Sequence, residues 1–176
     1  MKTLKKFLEK NQACSRGFNF AKDLTLEQFL NTCDQGDWIL WLFVRINPSS
    51  LRELTLAKAH CANTVRHLMK DERSIKAIDV AIAFGEGKAT REELDDAGVA
   101  AFAAYLAPSA ASAASAAADA AAYAAALAYL APSATGAGAA AYAASAARAG
   151  VARKDNQKLT ADICRKYLPI EIWNNN

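Results

Sequence analysis

The densest group of side chains able to do chemistry is His60, Arg66, His67, Asp71, Glu72 and Arg73. Imidazole, guanidinium and carboxylate groups this close in sequence suit an acid–base pair or an anion-binding corner. His60 and His67 are seven residues apart, two turns if one helix carries both, or about 10 Å. That separation is too wide for one metal ion, and the HxxxH spacing of a helical metal site is absent. Asp71 follows His67 by four residues, with a helix break expected between them. The structural alternative is an exposed corner whose charges cap two helices. Arg66, His67, Asp71 and Arg73 are nevertheless the first candidates for a binding surface.

Other polar residues point to structure rather than catalysis. Asp34 and Asp37 flank Gly36 and read as turn chemistry plus an N-cap. The cysteines, Cys14, Cys33, Cys61 and Cys164, form no CxxC pair and no zinc spacing with either histidine. They read as reduced, mostly buried thiols, with Cys33 and Cys61 in the core. Gly85-Glu-Gly87 follows a helical pattern and not a strand, so it is no phosphate loop. No Ser/His/Asp or P-loop pattern occurs. The expectation is a protein without catalytic residues, metal or cofactor.

The elements that must position these residues read as helices. Thr25-Leu-Glu-Gln28, Ser50-Leu-Arg-Glu53 and Thr90-Arg-Glu-Glu93 each have the pattern of a capping box, in which N-cap hydroxyl and N3 side chain satisfy orphan N–H groups reciprocally. Asp37 is expected to cap WILWLFVRI, where Trp38, Leu42 and Arg45 share a face with Trp41 beside it. Leu51, Leu54, Cys61, Val65 and Leu68 form a helical apolar stripe. Asp71 caps a helix with Ile75, Ile78 and either Ile82 or Ala81 facing inward, ended by the glycine pair. No stretch alternates as a strand does.

Charge is mixed at both ends and nearly absent between them: residues 97–149 carry only Asp119 and Arg148. The net charge of +3 includes no long single-sign block, so neither nucleic acid nor a membrane surface is an expected partner. The opening MKTLKKFLEKNQ is basic but lacks an apolar h-region, which suggests the cytoplasm.

The alanine-rich block spans residues 97–149, and AYLAPSA occurs in it twice, at 104–110 and 128–134. Alanine has the highest helix propensity, and proline is tolerated at a first helical turn. Helices are therefore expected over about 91–106, 108–130 and 133–149, broken or kinked at Pro108 and Pro132. The uncharged run 97–118 is long enough to span a bilayer, but it is weakly apolar, carries serines and contains Pro108. An ice-binding face would need regularly spaced threonines, and Thr135 is the only one in the block. Close helix packing accounts for the composition best. On the middle helix Ser112, Ser115, Asp119, Tyr123, Leu127 and Leu130 form one stripe. Phe102, Tyr105 and Leu106 play a similar role before it, and Tyr142 after it.

The segment DERSIKAIDVAIAFGEGKATREELDDA (71–97), followed by alanine-rich helices, resembles alanine-rich immunity proteins of bacterial polymorphic-toxin systems and related proteins of gut bacteria and phages. The matching residues are Asp71, Arg73, Ala77, Ile78, Gly85 or Gly87, and Leu94, and GDWILWL (36–42) is also similar. Phe84 stands where the group often has tryptophan. The resemblance covers about residues 30–150. It implies a small helical protein that binds and neutralises a protein partner, a toxin or defence protein, and it transfers no binding residues.

The reading is all-α: a multi-helix bundle with short helices in the N-terminal half and closely packed alanine-rich helices in the C-terminal half. Residues 1–150 form one helical domain. Residues 151–176 are a loop around Arg153–Asn156, a short helix Thr160–Tyr167 stopped by Pro169, and a tail either pinned by Trp173 or frayed. Function is expected to be protein binding by an immunity-type or phage-encoded inhibitor. The alternatives are a ligand-sequestering bundle, with Tyr105, Tyr123, Tyr142 and the Arg66–Arg73 corner lining a pocket for a metabolite or nucleotide, and a homo-oligomer assembling through alanine faces.

Overall fold

The structure, a computed structural model, describes residues 3–106, 113–126, 143 and 150–174. Among these residues all regular structure is helical. Pro108, Pro132, Leu127, Leu130 and Tyr142, and with them the expected breaks of the alanine block, lie outside the described residues. No helix among those described is long and apolar enough to cross a membrane.

The chain divides into two compact units, residues 1–33 and 34–176. The first contains α1 (Lys5–Lys10), α2 (Ser15–Ala21) and α3 (Leu26–Thr32). The Leu4 amide donates to the Leu24 carbonyl at 2.9 Å, which ties the start of α1 to the turn before α3. Phe20 meets Phe29 edge-on, with centroids 6.1 Å apart. The expected capping box of α3 is complete: Gln28 N–H donates to Thr25 Oγ1, and Thr25 N–H to Gln28 Oε1. Exposed Cys14 serves as the N-cap of α2, its sulfur accepting from the Gly17 amide.

The second unit holds α4 (Gly36–Ile46), α5 (Leu51–Asn63), α6 (Glu72–Gly85), α7 (Arg91–Tyr105), α8 (Ala113–Ala126) and α9 (Gly150–Tyr167). Short 3₁₀ turns occupy Arg66–Leu68 and Ile170–Asn174. Helix α5 is central: it packs against α4, α6, α8 and α9. Its burial is accordingly broader than one stripe. Leu54, Thr55, Ala57, Lys58, Ala59, Cys61 and Ala62 are all buried.

Alanine makes the α5–α8 layer compact. Ala97, Gly98, Ala101 and Ala104 form the buried face of α7, and Ala118, Ala120, Ala121, Ala122, Ala124 and Ala125 of α8 are buried. Side chains of one methyl let neighbouring helices approach near the short end of the usual 8–10 Å range. Larger groups, Ile78, Phe84, Leu94, Val65 and Met69, fill the space between those faces.

Caps separate the expected boundaries that hold from those that do not. Thr90 and Glu93 complete the box of α7, and Asp71 accepts from the Arg73 amide to start α6. Gly87 has φ +77°, the left-handed conformation expected where the chain leaves α6. Ser50 makes no cap bond. Its ψ of 59° departs from the extended backbone of Thr25 and Thr90, so its hydroxyl is not directed at the N3 amide. Thr90→Ala is therefore expected to cost about 1 kcal/mol in urea unfolding, and Ser50→Ala less than about 0.5 kcal/mol. Equal losses would contradict this difference. Asp37 is not the cap of α4 either: that helix begins at Gly36, and Asp37 sits in its first turn, where a carboxylate favours the positive end of the dipole.

The C-terminal region corrects the expected loop. Residues 151–159 are helical, part of α9, and Thr160 is a buried interior residue whose hydroxyl donates to the Gln157 carbonyl. Helix α9 packs on α4 and α5 within the second unit. It ends at Tyr167, before Pro169, as expected. The tail is pinned: Trp173 Nε1 donates to the Leu168 carbonyl at 2.8 Å, and its ring meets Phe43 at 5.0 Å.

Candidate functional site

The turn between α5 and α6 places the polar corner. Helix α5 ends at Asn63, and Val65 leaves helical geometry with φ −114° and ψ 15°; the Thr64 hydroxyl between them donates to the Cys61 carbonyl at 2.7 Å and accepts from Asn156 Nδ2 at 2.9 Å. His60 and His67 are therefore not two turns apart on one helix, as expected, but on separate elements. His67 lies exposed on the 3₁₀ turn. His60 is half-buried and stacks on the Tyr167 ring of α9, centroids 4.2 Å apart and planes 4° from parallel. Burial lowers the His60 pKa, the Lys166 charge lowers it further, and Glu86 opposes both.

The candidate cations of the corner already have anionic partners. Arg66 forms a two-pronged ion pair with Asp79 of α6, its Nη2 donating to Oδ2 at 2.8 Å. These hydrogen bonds lower the Asp79 pKa and raise that of Arg66. Arg73 folds back on Asp71, Nε to Oδ1 at 2.9 Å and Nη2 to Oδ2 at 2.7 Å. That side-chain pairing, with the amide bond from Arg73, holds the Asp71 carboxyl below its ordinary range. Asp71 and Arg73 thus meet as a cap and its own ion pair. Asp79 was not recognisable from sequence, because its meeting with Arg66 depends on chain reversal at residues 64–71.

Asp119 of α8 is a second residue that sequence reading placed only on a stripe. It is 2% exposed. Burial raises its carboxyl pKa; the Ser74 hydroxyl in the first turn of α6 opposes this, Asp71 adds to it and Arg73 counters it. The acid thus sits beneath the start of α6, linked electrostatically to the Asp71–Arg73 cap.

A groove of about 350 Å³ opens next to this cap, between α6 and α7. Arg73, Lys76, Glu93 and Asp96 line it with both signs of charge, and Val80, Ala97 and Ala100 supply its apolar surface. The i, i+3 spacing of Arg73 with Lys76, and of Glu93 with Asp96, puts two cations on one helix and two anions on the other. Only Arg73 of these four was a sequence candidate. Glu93 was legible only as the capping-box partner of Thr90, and Lys76 and Asp96 look like ordinary solvated helix residues until α6 and α7 are laid side by side.

The tyrosine candidates are distributed differently. Tyr123 is half-buried and its ring lies 4.9 Å from that of Phe102. Tyr105 and Val99 of α7 are exposed, as is Leu106 just after it. Tyr142 lies outside the described residues. Another residue that sequence reading missed is Lys58, fully buried on α5, whose Nζ has no hydrogen-bond partner among the described residues. Desolvation pushes its pKa down to about 7. No group of His, Cys, Asp or Glu among the described residues could hold a metal ion. No family model matches the chain, and neither curated proteins nor solved structures provide a match.

Proposed function

We propose that this chain is a helical binding protein that neutralises a protein partner, and that the α6–α7 face is the surface it presents. The observation that carries this reading is the groove between those helices, with cations on one wall, anions on the other and an apolar lining. Complementary charge placed around an apolar centre gives an interface its register and partner choice. The same segment, 71–97, carries the resemblance to immunity proteins. Helix caps and ion pairs hold its backbone and side chains in place before binding, which limits the ordering entropy lost on association.

The test is charge reversal at two exposed groove residues. Lys76→Glu with Asp96→Lys is expected to preserve the far-ultraviolet circular dichroism spectrum. It is also expected to weaken binding to a toxin encoded beside the gene by at least about tenfold, because each reversed charge meets its former complement as a like charge. Unchanged affinity would remove the groove from the interface. The groove volume also falls within the range of small-molecule sites. A zwitterionic metabolite that raises the melting temperature of the native chain but not of the reversed variant would favour ligand sequestration instead.

A further inference from the structure

Helices α4, α5 and α9 converge on two sulfur atoms. Cys61 Sγ of α5 and Cys164 Sγ of α9 are 3.8 Å apart, both fully buried and neither in a disulfide. Each lies near a backbone carbonyl: Cys61 Sγ is 3.7 Å from Thr160 O, and Cys164 Sγ is 3.6 Å from Gly36 O. Those carbonyls belong to helices, where an i+4 amide already satisfies them, so loss of the S–H donors leaves neither orphaned. The sulfurs are in van der Waals contact.

We propose that Cys61 and Cys164 form a peroxide-sensitive latch that closes into a disulfide and staples α9 to α5. One cysteine sulfur attacks a peroxide oxygen, the O–O bond breaks, and a sulfenic acid and one water result. The second sulfur attacks the sulfenic sulfur, the S–O bond breaks, and the departing hydroxyl takes the second thiol proton as water. Two thiols lose two electrons in all, and one hydrogen peroxide becomes two waters. A dithiol reductant reverses the bond by exchange. Burial makes the step depend on local opening of α9, so it is slower than oxidation of exposed Cys14. The bond spans 103 residues of chain, a length at which a cross-link strongly restricts the unfolded ensemble.

The experiment treats the native chain with hydrogen peroxide, maps its peptides without reduction and records thermal unfolding. The expected result is a linked pair of peptides carrying Cys61 and Cys164, with the unfolding midpoint raised by roughly 5–15 °C and restored by dithiothreitol. Cys61→Ala and Cys164→Ala should each abolish the rise. Two results overturn the latch: both thiols still unlinked after an exposure roughly a hundredfold longer than full oxidation of Cys14 requires, or a linked pair with an unchanged midpoint. Mapping and midpoint are both read on the unsubstituted chain, so the outcome holds even if a cysteine variant fails to fold.

Discussion

Lys58→Met is expected to stabilise the protein by about 2–4 kcal/mol near neutral pH. Lysine at this position is wholly buried, its ammonium has no hydrogen-bond partner among the described residues, and desolvation lowers its pKa from 10.5 to about 7. Methionine has a similarly flexible apolar stem, is slightly smaller and carries no charge to desolvate. The pH dependence has a definite sign. Between about pH 7 and 10.5 the unfolded chain binds the Lys58 proton more fully than the folded one, so native stability rises with pH across that window. A shift of this size corresponds to roughly 4–5 kcal/mol over the full window, with little further change below pH 7. Urea unfolding at pH 7, 8, 9 and 10 should show the advantage of Lys58→Met shrinking as pH rises. A difference between the two proteins that stays constant with pH would mean that Lys58 is not a desolvated amine.

Gly36→Ala is expected to destabilise by roughly 2–3 kcal/mol, lowering the melting temperature by roughly 5–10 °C. A Cβ at residue 36 would lie 2.6 Å from Thr160 Oγ1 and 2.8 Å from both the Cβ and the backbone carbonyl carbon of Thr160. Helix α9 must then withdraw from α4. The clash includes backbone, so Thr160→Ala should fail to rescue the variant, although it removes the nearest atom. Full rescue would show that the hydroxyl alone sets the limit. A melting temperature within about 1 °C of the parent protein would show that α9 has room to shift.

Much of the fold was legible because its signals are local. Capping at Thr25, Asp71 and Thr90 depends on a few residues in sequence, as does the left-handed turn at Gly87, and each occurs where the pattern puts it. Local patterns failed where a competing contact decided the outcome. Ser50 has the letters of a capping box but the wrong backbone angle, set by the turn before it. The chain leaves helical geometry at Val65, which ends α5 and separates His60 from His67. Residues 151–159 look like a polar loop, yet they form the first turns of α9, whose other face carries Asn156 and Thr160 into the interior.

The candidate site was less legible, because it is made by neighbours distant in the chain. Asp71 was legible as a helix cap from sequence, but its ion pair with Arg73 was not. The α6–α7 groove, the Arg66–Asp79 pair and the Cys61–Cys164 contact exist only once helices lie against one another. By itself, the sequence determined that this chain is helical, since alanine propensity, caps and apolar periodicity act within a few residues of one another. Only the tertiary structure decided which polar groups are solvated, paired or buried. Desolvation and charge pairing depend on what a side chain faces across a gap, and Lys58 and Asp119 carry no mark of that in their neighbouring residues.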